Sequence, residues 1–167
     1  MTLTIDFTIE DRAWAESAPW YRERALLAAG AALQEAGVEP MQTEISVLLC
    51  DNARIAELNT THRGKSGATN VLSWPAKSLL PADAPLKPAD GFLGDLALAR
   101  ETIEIEAFEQ QISVEDHVTH LIAHGVLHLL GYDHETEADA EVMEEMERRA
   151  LASLGIADPY ATDSPAR

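Results

Sequence analysis

A chain of 167 residues is long enough for one domain with its own core, and its single cysteine, Cys50, excludes a disulfide framework. With 46% apolar and 25% charged residues it has the balance of a folded globular protein and not of a disordered one. A formal net charge of -17 argues against broad attraction to nucleic acid, DNA included, while leaving room for a local basic groove.

The N-terminus, "MTLTIDFTIEDR", has neither a basic n-region nor an apolar h-region, so no signal peptide is expected. No apolar run approaches the ~20 residues that span a bilayer. A lone cysteine inside the apolar run "ISVLLC" suits a reducing compartment. The expected location is the cytoplasm, with no membrane partner.

"LTIDFTIE" alternates, with Leu3, Ile5, Phe7 and Ile9 on one side, and reads as a half-buried strand. A loop follows. From Trp20 to Ala36, Leu26, Ala29, Leu33 and Ala36 recur at helical spacing, and Gly37 suits the position just past a helix end. "TEISVLLC" reads as a second strand, and Asp51 as the cap of a short helix, "DNARIAELN". "TNVLSWP" is a third strand, stopped by Pro75. A proline-rich loop over residues 75–91 reads as a tolerated insertion or a flap beside a site. "FLGDLALA" is a fourth strand whose glycine signals a bulge or a close backbone approach.

Three helices follow: "RETIEIEAFEQQ", a histidine-rich helix, and a last helix over Thr136 to Leu154. In the last one Val142, Met143, Met146, Ala150 and Leu154 form an apolar stripe, and the seven acids of "ETEADAEVMEEMERR" read as a solvated face. The expected fold is α/β (α+β): a single layer domain over residues 1–157, with a mixed sheet of about four strands packed against helices. Residues 158–167 are expected to be a flexible tail.

The stretch "HVTHLIAHGVLHLLGYDH", residues 117 to 134, holds five of the six histidines. Ser113 with Asp116 three positions on resembles a capping box. At ~100° per residue His117, His120, His124 and His128 share one stripe of an apolar helix. Burying that many polar rings calls for a strong partner, and a metal ion is the simplest common one. His124 and His128, at i and i+4, can point at one ion; Gly131 turns the chain, and His134 comes back to it. Three neutral imidazoles leave a fourth position of zinc open, as in catalytic sites, whereas His120 or Asp133 would close the site as a structural one. Nickel and cobalt fit the same donors. The spacing H-x-x-x-H-x-x-G-x-x-H occurs in metzincin proteases, which carry a glutamate where this chain has Gly125. That missing carboxylate argues against peptide hydrolysis and is expected to leave room for a phosphodiester beside the metal.

"HGVLHLLGYDH" resembles the defining motif of the YbeY endoribonuclease family, H-G-x-L-H-L-x-G-Y-D-H, at every fixed position. "LNTTHRGKSGATNVLSWP" is similar to the family's L-N-x-x-Y-R-x-K-D-x-x-T-D-V-L-S-F-P, and "LGDLALA" to its L-G-D-I. The resemblance implies a metal-dependent, single-strand-preferring endoribonuclease acting in ribosomal RNA maturation (16S rRNA 3′ end) and ribosome quality control, with the small ribosomal subunit as a partner. It implies Zn2+ on His124, His128 and His134. It also implies a catalytic Arg63 that steadies charge developing on a phosphate through a planar fork. The chain departs from the family at His62, at Lys65-Ser66, and at Asn70, where a carboxylate is lost. Arg63, Lys65 and Arg54 form an expected local basic patch. His120 could orient water or substrate, or serve as a core partner; Asp133 could hold an imidazole or form the turn; Asp95 fits strand-end scaffolding. Two other classes stay open: a zinc peptidase or other metallohydrolase, and a ribosome-associated binding factor with a structural metal.

Overall fold

The computed structural model describes residues 3–38, 43–76 and 91–161. Within them the order is β1 (Leu3–Ile9), α1 (Ala13–Ser17), α2 (Tyr21–Glu35), β2 (Thr43–Cys50), α3 (Asn52–Arg63), β3 (Val71–Pro75), β4 (Phe92–Ala99), α4 (Arg100–Gln110), α5 (Val114–Leu129) and α6 (Glu137–Ser153). The four strands form one mixed sheet in the order β1-β2-β4-β3. β1, β2 and β4 run parallel, and β3 closes the edge antiparallel to β4. The expected α+β layer fold is the observed one.

The central strands explain the layering. Along β4, Leu96 and Leu98 belong to the main core with α2, α5 and Met143 of α6. Ala97 and Ala99 face a smaller cluster with Ile55, Leu72 and Cys50, covered by α3. α5 therefore lies on one face of the sheet and α3 on the other. Gly94, at φ 144°, sits where a Cβ would lie 2.3 Å from the Trp74 carbonyl oxygen. The register also shifts there, with Phe92 and Gly94 opposite consecutive residues of β2. Bulge and close approach, both expected from that glycine, occur together.

Several details differ from the sequence reading. The loop after β1 contains α1, pinned by Trp14, which is buried and donates its indole N–H to the Cys50 carbonyl at 3.0 Å. Five residues are too few to show a helical period. The buried face of α2 is made of small residues (Ala25, Ala28, Ala29, Ala32) with Leu33, and Leu26 is 44% exposed. Small side chains let α2 lie along α5, so packing overrides hydrophobicity at position 26. In α6 Val142 is exposed while Leu151 is fully buried, which rotates the apolar stripe. α3 runs on to Arg63, past the expected end at Asn59, and Gly64 in the left-handed region stops it.

Most of the proline-rich loop, residues 77–90, lies outside the described residues, as do 162–167 of the expected tail. Residues 158–161 are described and make contacts: Asp158 accepts from Arg148 Nε at 3.1 Å, and the Tyr160 side chain docks on α5 and α6. Among the described residues no helix is long and apolar enough to cross a membrane.

Candidate metal centre

The histidine helix is set by its ends. At its start the Ser113 hydroxyl accepts from the Asp116 backbone N–H at 3.0 Å. The other half of the expected capping box is not made; the Asp116 carboxylate pairs instead with Arg24 of α2 at 3.2 Å. At its end Gly131 takes φ 104°, a conformation L side chains rarely adopt. The chain then reverses and Tyr132 N–H returns to the Leu127 carbonyl at 3.0 Å. The same turn presents the Tyr132 carbonyl to His128 Nδ1 at 2.9 Å. One turn thus carries His134 inward and orients His128.

The structure brings His124, His128 and His134 together, each offering a ring nitrogen within 4.8 Å of the others. His124 Nδ1 lies 2.7 Å from Glu147 Oε2. An ionised carboxylate only accepts, so that nitrogen carries the proton. His128 Nδ1 likewise donates to a carbonyl. Both Nε2 atoms are then bare, and they face each other at 3.1 Å, near the edge length of about 3.3 Å for a tetrahedron with ~2.0–2.1 Å arms. Two lone pairs at that distance repel unless a cation lies between them, so the donor set fits a metal such as zinc. Burial and the neighbouring His124 push the His128 pKa down to about 4, which keeps the ring neutral and able to ligate. His134 is exposed, so the cluster opens to solvent.

Glu147 is the residue the sequence reading missed. It sits on α6 at 0% exposure, among acids read as a solvated face. Its Oε1 accepts from His120 Nε2 at 2.7 Å and from the Tyr160 hydroxyl at 2.5 Å, while Oε2 accepts from His124. Burial alone would raise its pKa; the hydrogen bonds from His120 and His124 outweigh that and hold it at about 2. The signal was positional: Glu147 lies four residues after Met143 and four before Leu151, on the buried side of α6. His120, His124 and Glu147 are also close enough to form a second metal-ligand group, but at 2.7 Å their nitrogens and oxygens already hydrogen-bond one another. His120 is therefore a partner of Glu147.

One turn earlier, His117 Nε2 meets Glu106 Oε1 at 2.8 Å, and the same oxygen accepts from Asn70 Nδ2 at 2.9 Å. The departure at Asn70 thereby acquires a physical meaning. A carboxamide can donate to Glu106, where an aspartate would oppose it with like charge. Asp133 forms the turn, accepting from Glu135 N–H at 3.3 Å. Asp95 is exposed on β4, opposite Trp74.

Two expectations are corrected. Gly125 does not open space beside the metal. A Cβ there would lie 2.7 Å from Leu96 Cδ2, so the glycine lets α5 sit close on β4. Arg54 is not an uncommitted cation of a basic patch; it pairs with Glu10 at 3.1 Å and Glu57 at 3.2 Å. Arg63 is exposed at the last residue of α3, the helix on the other face of the sheet from α5, with Lys65 exposed just beyond.

Residues 9–155 match the family model described as endoribonuclease YbeY. A protein named endoribonuclease YbeY from Ruegeria pomeroyi is 46% identical over 169 residues, covering 96% of this chain and 100% of its own length. A protein of the same name from Rhizobium johnstonii is 45% identical over 163 residues, covering 95% and 93%. A solution structure of a Thermotoga maritima protein superposes with a TM-score of 0.51 at 22% identity, over 95% of this chain and 99% of that one, a likeness of fold.

Proposed function

The chain belongs to the endoribonuclease YbeY family, and from that premise we propose that it is a metal-dependent endoribonuclease that cuts single-stranded RNA in ribosomal RNA maturation. The observation that carries this reading is the pair of bare Nε2 atoms of His124 and His128 facing each other at 3.1 Å, with His134 completing the set. We take zinc as the ion, held by these three imidazoles. When bound, it supplies a Lewis acid that lowers the pKa of a coordinated water and polarises a phosphoryl oxygen.

The chain's own residues do the rest. Glu147 and the Tyr132 carbonyl hold the His124 and His128 rings in the tautomers that aim Nε2 into the site. The exposed edge at His134 gives a phosphodiester access. Arg63 takes the role of a planar donor to phosphate oxygens on the strand that approaches, matched to an anion spread over two oxygens. The acidic body, at net charge -17, disfavours RNA binding elsewhere on the surface by repelling it. The work belongs in the cytoplasm, on the small ribosomal subunit's RNA.

The same constellation disfavours the other two classes. A metzincin-like peptidase needs a carboxylate where Gly125 packs against Leu96. A closed structural metal needs a fourth protein ligand, and of the two candidates His120 is committed to Glu147 and Asp133 to the turn. The test incubates metal-quantified protein with single-stranded RNA and with casein. Cleavage of RNA alone, lost in His128→Ala and reduced roughly 10²–10³-fold in Arg63→Ala, is expected. Cleavage of casein, or a bound metal with no turnover of either polymer, would overturn the reading.

A further inference from the structure

Tyr160 lies well beyond the matched motif, in a stretch whose sequence reads as a tail, yet its hydroxyl reaches Glu147, the carboxylate behind His124. Asp158 anchors the stretch: its Oδ2 accepts from Arg148 Nε at 3.1 Å and its Oδ1 from the Tyr160 backbone N–H at 2.8 Å. The phenol ring is then held on two sides. The Arg148 guanidinium carbon lies 5.6 Å from its centroid, and the His120 ring meets it edge-on at 5.6 Å. Its hydroxyl ends 2.5 Å from Glu147 Oε1.

Glu147 is a carboxylate with 1% of its side chain exposed, and it has three donors: His120, His124 and Tyr160. Two of them share Oε1, so the tyrosine and His120 together fix the rotation of the carboxylate. That rotation decides whether Oε2 sits in line with His124 Nδ1. The latter bond in turn decides which His124 nitrogen is bare.

We propose that Tyr160 is a positioning residue of the metal centre, acting through Glu147 on the ligating tautomer of His124, and that the segment 158–160 is a working part of the site. The proposal rests on the reading of His124, His128 and His134 as metal ligands. Removing the hydroxyl leaves Oε1 with His120 alone, and the carboxylate gains freedom to turn away from His124. Outer partners of a metal-bound imidazole commonly change metal affinity by roughly 10–100-fold. Tyr160 is one bond further out, which places its effect at the low end.

The test uses the full chain as wild type, Tyr160→Phe, Tyr160→Leu and His128→Ala. Each is loaded with Co2+, its visible spectrum is recorded, and transfer of the metal to a competing chelator is measured at fixed pH; melting of the metal-free proteins checks folding. Phenylalanine keeps the packing against His120 and Arg148 and loses only the hydroxyl. The proposal expects Tyr160→Phe to stay folded with a cooperative melt, to bind metal about tenfold more weakly, and to bind it about as weakly as Tyr160→Leu. Wild-type affinity and spectrum in Tyr160→Phe, with loss only in Tyr160→Leu, would show a packing role and overturn it. If Tyr160→Phe does not fold, Asp158→Ala, which removes both anchors of the segment, carries the same decision: weakened metal binding in a folded protein supports the proposal and wild-type binding overturns it. Wild-type protein that holds metal no better than His128→Ala would overturn the ligand assignment itself, and the role of Tyr160 with it.

Discussion

An alanine at 125 would place its Cβ 2.7 Å from Leu96 Cδ2 in a core where Leu96 is 1% exposed, so either the helix or the leucine must move. Overpacking of that kind costs about 1–3 kcal/mol. Gly125→Ala is expected to lower the melting temperature of the metal-free protein and, by lifting α5 from β4, to loosen metal binding. Unchanged stability would show that Leu96 yields freely. The spacing of His124, His128 and His134 was legible because a 3.6-residue period and one glycine fix where three rings point. Glu147 was not, because seven acids in one stretch look alike until the partner of each is known. A carboxylate between Met143 and Leu151 at helical spacing was the available clue. The place of Arg63 relative to the histidines was also illegible, since α3 and α5 lie on opposite faces of the sheet and only the resemblance connected them.

At the scale of elements, the strands over Thr43–Cys50 and Phe92–Ala99 were readable to the residue, because both are apolar runs bounded by turn or capping signals. The short α1 was not, since its place depends on the long-range hydrogen bond from Trp14 to Cys50. The turn after α5 is the element on which the site depends most. It serves two of the proposed ligands: Gly131 permits the reversal that brings in His134, and the Tyr132 carbonyl orients His128. Nothing lies within 4 Å of a Cβ built at Gly131, so the glycine is needed for its backbone conformation and not for space. Gly131→Ala is expected to cost about 1–3 kcal/mol of stability and to weaken metal retention further by displacing His134. Loss of stability with metal affinity intact would separate the two roles and count against the turn as a ligand-positioning device.

Across the whole molecule, the buried polar groups tie stability to pH. Burial lowers the pKa of His128 from 6.5 to about 4 and also lowers that of His117, so the unfolded chain binds more protons than the folded one in that range. The metal-free protein is therefore expected to lose stability as pH falls from about 6.5 towards 4. Glu147, lowered from 4.5 to about 2 against the opposing effect of its own burial, extends the loss below pH 4.5. A denaturation midpoint that is flat from pH 7 to 4 would contradict the assignment of His128 as buried and neutral. Metal binding should weaken over the same interval, because protons compete for the ligating nitrogens.

Three histidines on one helix and its following turn are proposed to make a metal centre that cuts RNA. That assignment is tested most directly by stripping the full-length protein with a chelator, adding back Zn2+ in measured steps, and following cleavage of a single-stranded RNA beside His128→Ala. A metal centre on these histidines predicts no cleavage in the stripped protein, recovery that saturates near one ion per chain, and none in His128→Ala at any metal level. Cleavage that persists without metal, or in His128→Ala, would contradict it.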